Sequence, residues 1–169
     1  MIIYTTRDDH RVAWLTALAM TIHIVESAFP NPLPGMKPGL ANMVTTIVLI
    51  KFGWKMAAWV NLLRVIAGSL VIGTFLSPTF ILSLSGALAS IAVLALLQYL
   101  PGCGPVGYSV ASALAHTFAQ FWVAYMLFIR HEGLFHLLPP FMTVALILGI
   151  ANGIMTLKIL KHLSGPPHQ

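Results

Sequence analysis

The chain has 169 residues, 58% of them hydrophobic, and only 8% charged: nine Lys or Arg against four Asp or Glu. Mean hydropathy is +0.88, whereas soluble domains carry about 25% charged residues, so this chain lacks the polar surface to cover a globule in water. No Asp, Glu, Lys or Arg occurs from Val65 to Ile129, which excludes an ordinary cytosolic enzyme and a disordered tail. The net charge of +5 is spread without a run or stripe, which excludes a nucleic-acid partner. The implied fold class is all-α: a polytopic membrane protein of six transmembrane helices in contact with membrane lipid.

A spanning helix needs about 20 apolar residues, and Pro and Gly clusters mark the breaks. Residues 1–10 are an N-terminal tail. Arg7 and Arg11 ahead of an apolar stretch resemble a signal peptide, but no small-residue cleavage site follows, so the stretch reads as a retained first helix. Helix 1 is predicted from Arg11 to Phe29, ending at the proline-rich run Pro30–Gly35. Helix 2, short, spans Leu40 to Phe52 and closes at Lys51, Gly53 and Lys55. Helix 3 spans Met56 to Leu76 and stops before Pro78. Helix 4 spans Thr79 to Leu100, helix 5 Val106 to Ile129 and helix 6 Leu137 to Leu160. The transmembrane domain is therefore 11–162, and 163–169 form a C-terminal tail. The apolar runs are continuous rather than alternating, which argues against a β-barrel. Cys103 is the single cysteine, so there is no intrachain disulfide and no Cys-based metal site.

Orientation follows from basic residues near helix ends. With both termini inside, the inner set is Arg7, Arg11, Lys51, Lys55, Lys158 and Lys161, against Lys37 and Arg130 outside. Six against two places both termini in the cytoplasm.

Polar residues within the bilayer are costly, so each needs a reason. Arg64 lies nine residues past Lys55, about 13 Å deep at 1.5 Å per residue. Asn61 and Gly68 share its helical face, which therefore points into protein or a polar cavity. It reads either as a structural Arg bonded to backbone carbonyls or as a contact to an anionic or polar substrate. His116 and Gln120 share one face of helix 5 and read either as ligand-binding or as an interhelical pair. One His without a second ligand at metal spacing makes no metal site. His23 lies three residues before Glu26, near the outer end of helix 1, where a carboxylate reaches water or caps a helix. Glu26, Lys37, Asn42, Thr74, Ser77 and Gln120 all fall in the outer half, which suggests a pocket opening outward. Ala13 and Ala17 on helix 1 form a small-residue face that allows close helix approach. Similar patches on helices 4 and 5, including Ser83, Ser90, Ser109 and Ser112, read as bundle packing.

The run Glu26-Ser27, then Pro34-Gly35-Met36-Lys37-Pro38-Gly39-Leu40-Ala41-Asn42, closely resembles a bacterial membrane-protein family. So do Arg64, Gly68-Ser69, Gly73-Thr74, Ser77-Pro78, and Ala115-His116 with Gln120. The family carries two labels, Gx transporter family and heptaprenyl diphosphate synthase component I. It is similar to the six-helix substrate-binding S components of energy-coupling-factor transporters. That resemblance implies a vitamin-like, flavin-type or other small-molecule substrate near the outer face, bound by Glu26, Lys37, Asn42 and Gln120. It also implies that Ala13 and Ala17 dock on a transmembrane coupling subunit driven by ATPases, in the bacterial cell (inner) membrane. The second label is tested by chemistry. Prenyl transfer needs Mg²⁺ on carboxylates, yet the chain has only Asp8, Asp9 and two glutamates. Under that label the chain is a non-catalytic partner in polyprenyl diphosphate or quinone synthesis. A rhomboid-type serine protease is a third alternative, but Ser83-Leu84-Ser85-Gly86 lacks the first Gly of its motif and the candidate His116 sits on helix 5 rather than helix 6. The expectation is a binding or transport protein, not an enzyme, without cofactor. Its binding residues are Glu26, Lys37, Asn42, Arg64, Thr74, Ser77, His116 and Gln120.

Overall fold

A computed structural model describes residues 7–28, 39–100 and 102–163. Six α-helices follow one another: α1 (Arg7–Ala28), α2 (Leu40–Phe52), α3 (Trp54–Ile72), α4 (Pro78–Leu97), α5 (Pro105–Leu127) and α6 (Leu138–Leu163). A short 3₁₀ helix, Glu132–Leu137, precedes α6. The chain is an all-α membrane bundle, as its composition requires. Four spans, α3, α4, α5 and α6 with its 3₁₀ turn, are long and apolar enough to cross a membrane. Helix α2 is apolar but only 13 residues long, and α1 carries its charges near both ends.

The helix ends follow from local chemistry. Gly53 at φ 88° ends α2 and starts α3, a one-residue reversal that a side chain at positive φ would strain. Gly73 at φ 77° closes α3 four residues earlier than the sequence predicted. Its left-handed turn lets Thr74 N–H reach the Ser69 carbonyl at 2.8 Å, as a Schellman-type cap does. Ser77 then caps α4, accepting from Phe80 N–H, with Pro78 at the first helical position where its missing N–H costs nothing. Helix α1 begins at Arg7 rather than Arg11, taking Asp9 into its first turn. There an acidic residue suits the positive end of the helix dipole. The 3₁₀ turn was not anticipated. His131 caps it, its Nδ1 accepting from Gly133 N–H at 3.0 Å.

Helices α1, α2 and α3 pack together; α5 packs between α4 and α6, α3 joins α4, and α2 touches α5 and α6. Helix α3 buries Ala57, Val60, Asn61, Arg64, Val65, Gly68 and Ser69. That three- and four-residue spacing is one helical face. One apolar cluster ties Ala19 of α1, Val48 of α2, Val60 of α3 and Leu94 of α4. The α5–α6 crossing is closer still. Gly149 and Gly153 face Val110 and Val106 of α5, where an added Cβ would stand 2.9 and 2.6 Å from their Cα atoms. This is a Gly-xxx-Gly contact, in which missing side chains let backbones meet. The outer faces carry Trp14, Trp59, Leu96 and Ile147 at 61–79% exposure. Such surfaces are unfavourable in water and fit contact with lipid chains.

Candidate functional site

Arg11 of α1 sits over the Phe52 ring of α2 at 5.6 Å, so the start of α1 and the end of α2 share one end of the bundle. A cavity of about 410 Å³ extends from the opposite end of the bundle, where Glu26, Gly39 and Leu137 line it, along α5 as far as Ser109. Every α-helix contributes to it: His23 and Glu26 from α1, Asn42 from α2, Arg64 from α3, Thr79 and Ser83 from α4. From α5 come Ser109, His116, Thr117, Gln120 and Phe121, and from α6 Phe141 and Asn152. Leu134 and Leu137 of the 3₁₀ turn complete the wall. A smaller cavity of about 200 Å³ adjoins it, sharing His23, Val65, Thr79 and Ser83 and adding Ser69 and Thr74.

The polar side is built outward from Asn61. This residue is fully buried and its amide donates to the Ala87 carbonyl of α4 at 3.2 Å. Its oxygen accepts from Arg64 Nη2, and the same Nη2 donates to Asn42 Oδ1 at 3.3 Å. One guanidinium nitrogen thus ties α2 and α3, while Asn61 carries the link to α4. Arg64 is 4% exposed, and its Nε has no hydrogen-bond partner among the described residues. Glu26 accepts the backbone N–H of Leu40, at the first turn of α2. A carboxylate there satisfies an orphan donor and complements the helix dipole. It also acts electrostatically on Arg64.

Two glycines seat the imidazoles. An added Cβ at Gly86 would fall 2.7 Å from the His116 ring, and one at Gly68 would fall 3.2 Å from that of His23. The aromatic side is formed by Phe121 and Phe141, ring centroids 6.4 Å apart. Phe121 also meets Phe135 of the 3₁₀ turn at 6.3 Å.

Of the residues predicted from sequence, the cavity brings together Glu26, Asn42, Arg64, His116 and Gln120. Thr74 lines the adjoining space. Ser77 does not reach the main cavity lining; it bonds the Thr74 carbonyl and Thr79 and caps α4. Lys37 lies outside the described residues. Glu26 is 5% exposed, so it is a buried cap on α2 rather than a carboxylate reaching water. Ala13 and Ala17 are exposed on α1, beside Trp14 and Leu18. The packing readings of Ser83 and Ser109 missed that both face the cavity, whereas Ser85 bonds back to Leu82 O at 2.8 Å. Asn152 was missed altogether; its signal was being the one Asn of the last helix, set in the apolar stretch ahead of Lys158. Asp8 and Asp9, eighteen and seventeen residues before Glu26 in the same helix, stand about 26 Å from it at 1.5 Å per residue. Among the described residues no group of three His, Cys, Asp or Glu side chains is placed to hold a metal.

Fold and site together define a multi-helix membrane protein with a mixed polar and aromatic cavity between its helices. The chain belongs to the heptaprenyl diphosphate synthase component I family, whose model matches residues 15–159, from α1 to α6. No curated protein and no solved structure matches it.

Proposed function

We propose that this protein binds a small, vitamin-like molecule in the cavity and serves its transport across the membrane, as the S component of an energy-coupling-factor transporter does. The observation that carries this reading is a buried Arg64 held by two asparagines at the edge of a cavity of about 410 Å³. Small-molecule sites are concave, about 300–1,000 Å³, largely apolar, with a few placed polar groups. A buried cation in a membrane bundle marks function more often than stability. In this reading the protein is not an enzyme, and the positive-inside count puts its termini in the cytoplasm and the cavity toward the outer face. The chain has no Gly-rich Lys nucleotide motif, so ATP-driven work falls to a coupling subunit and its ATPases. The exposed Ala13–Ala17 face is their docking site.

The family name favours a second reading, in which the chain is a non-catalytic membrane partner in polyprenyl diphosphate or quinone synthesis. Native mass spectrometry of the gently purified protein separates the two. The transport reading expects a retained small molecule, lost in Asn42→Ala and Gln120→Ala. A retained soluble prenyl synthase, with altered quinone side chains on deletion, would replace it with the second.

A further inference from the structure

The cavity's charges constrain its ligand more narrowly than its size does. Among the described residues two lining side chains carry a formal charge with His neutral, Arg64 and Glu26. Both are nine-tenths or more buried. They are also linked: Glu26 holds the Leu40 N–H, and two residues on Asn42 holds Arg64. The pair is therefore already balanced within the protein. Burying a further full charge beside it would leave that charge uncompensated at low dielectric, which is strongly unfavourable.

Donors nevertheless remain. Of the five guanidinium N–H groups, the two on Nη2 serve Asn42 and Asn61, which leaves the Nη1 pair and Nε–H, and Arg64 lines the cavity. A bound molecule that presents an acceptor to the cavity side of this guanidinium gains a charge-assisted hydrogen bond. The guanidinium cannot turn away, because Asn61 is itself anchored on the α4 backbone. Across the cavity lining, α5 and α6 supply Phe121 and Phe141, surfaces on which a ring packs well.

We propose that the cavity selects a net-neutral ring compound with an acceptor edge, a carbonyl or ring nitrogen of amide or heterocyclic type, received by the Arg64 guanidinium where it lines the cavity. Carboxylates and phosphates are disfavoured even though the cavity holds an arginine. This rests on the reading of the cavity as a small-molecule site and specifies the ligand's charge.

Matched pairs test it, each sharing a ring and differing in charge: nicotinamide and nicotinate, uracil and orotate, riboflavin and riboflavin 5′-phosphate. Binding of each to the purified full-length protein in detergent is measured by calorimetry. The expected result is that in any pair that binds, the neutral member binds at least tenfold more tightly. Arg64→Lys, which keeps the charge but loses the planar donor fork, is expected to lose at least tenfold for that neutral member. Preference for the anionic member overturns the neutral-ligand assignment and leaves the small-molecule reading standing. Binding of no member of any pair overturns both. The wild-type comparison decides the charge question even if Arg64→Lys fails to fold.

Discussion

Asn61 shows how much one buried side chain can organise. It is fully enclosed, donates to α4 and accepts from Arg64. In Asn61→Ala the guanidinium loses an acceptor in a site that water does not replace. The expected destabilisation is about 1–3 kcal/mol, the range for orphaning a buried polar group, read as a shift in unfolding midpoint in detergent. A loss below about 0.5 kcal/mol would mean that Asn42 alone holds Arg64. The helical spacing of Asn61 and Arg64 was legible in the sequence, because residues three apart share a face. The third member, Asn42, lies on another helix, and no spacing rule connects it to Arg64. Glu26 illustrates the same limit. Its place at the end of α1 was readable, but its burial depends on the start of α2 returning to meet it.

At the scale of helices, the α5–α6 contact depends on two missing side chains. Gly153→Ala would push a methyl to 2.6 Å from the Val106 Cα, a backbone atom that cannot swing aside. Overpacking of this kind costs about 1–3 kcal/mol, and unfolding of the variant in detergent should show it. Gly107→Ala is the control. Nothing lies within 4 Å of its Cβ, and Ala is the better helix former, so no destabilisation is expected. Because Asn152 lies between these glycines and lines the cavity, the crossing also sets one cavity wall. Helix starts and stops were mostly predictable from Pro, Gly and Ser. Gly73 ended α3 ahead of the apolar run because a left-handed residue intercepts the hydrogen-bond ladder, whatever the hydropathy beyond it.

For the whole molecule, the open question of direction has a direct measurement. The proposed orientation places the α4–α5 turn in the cytoplasm, and that turn carries the single, partly exposed Cys103. A membrane-impermeant maleimide should leave Cys103 unlabelled in intact cells and label it in inverted vesicles. His131→Cys, at an exposed position after α5, should behave in the opposite way in a Cys103→Ser background. Labelling of Cys103 from outside would invert the topology and turn the cavity toward the cytoplasm.

The sequence by itself determined the class of this protein. Thirteen charges in 169 residues, none between Val65 and Ile129, leave only lipid as a suitable surround, and the breakers between apolar runs then divide the chain into six helices. Those are local properties, carried by composition and by the chemistry of Pro and Gly. Only the tertiary structure decided which polar residues meet. It joined Arg64 to Asn42, turned Glu26 into a cap on α2, sent Ser77 to α4 and brought Asn152 into the cavity. The reason is physical: a buried polar group is satisfied by whatever lies across the helix interface, and that partner is distant in the chain.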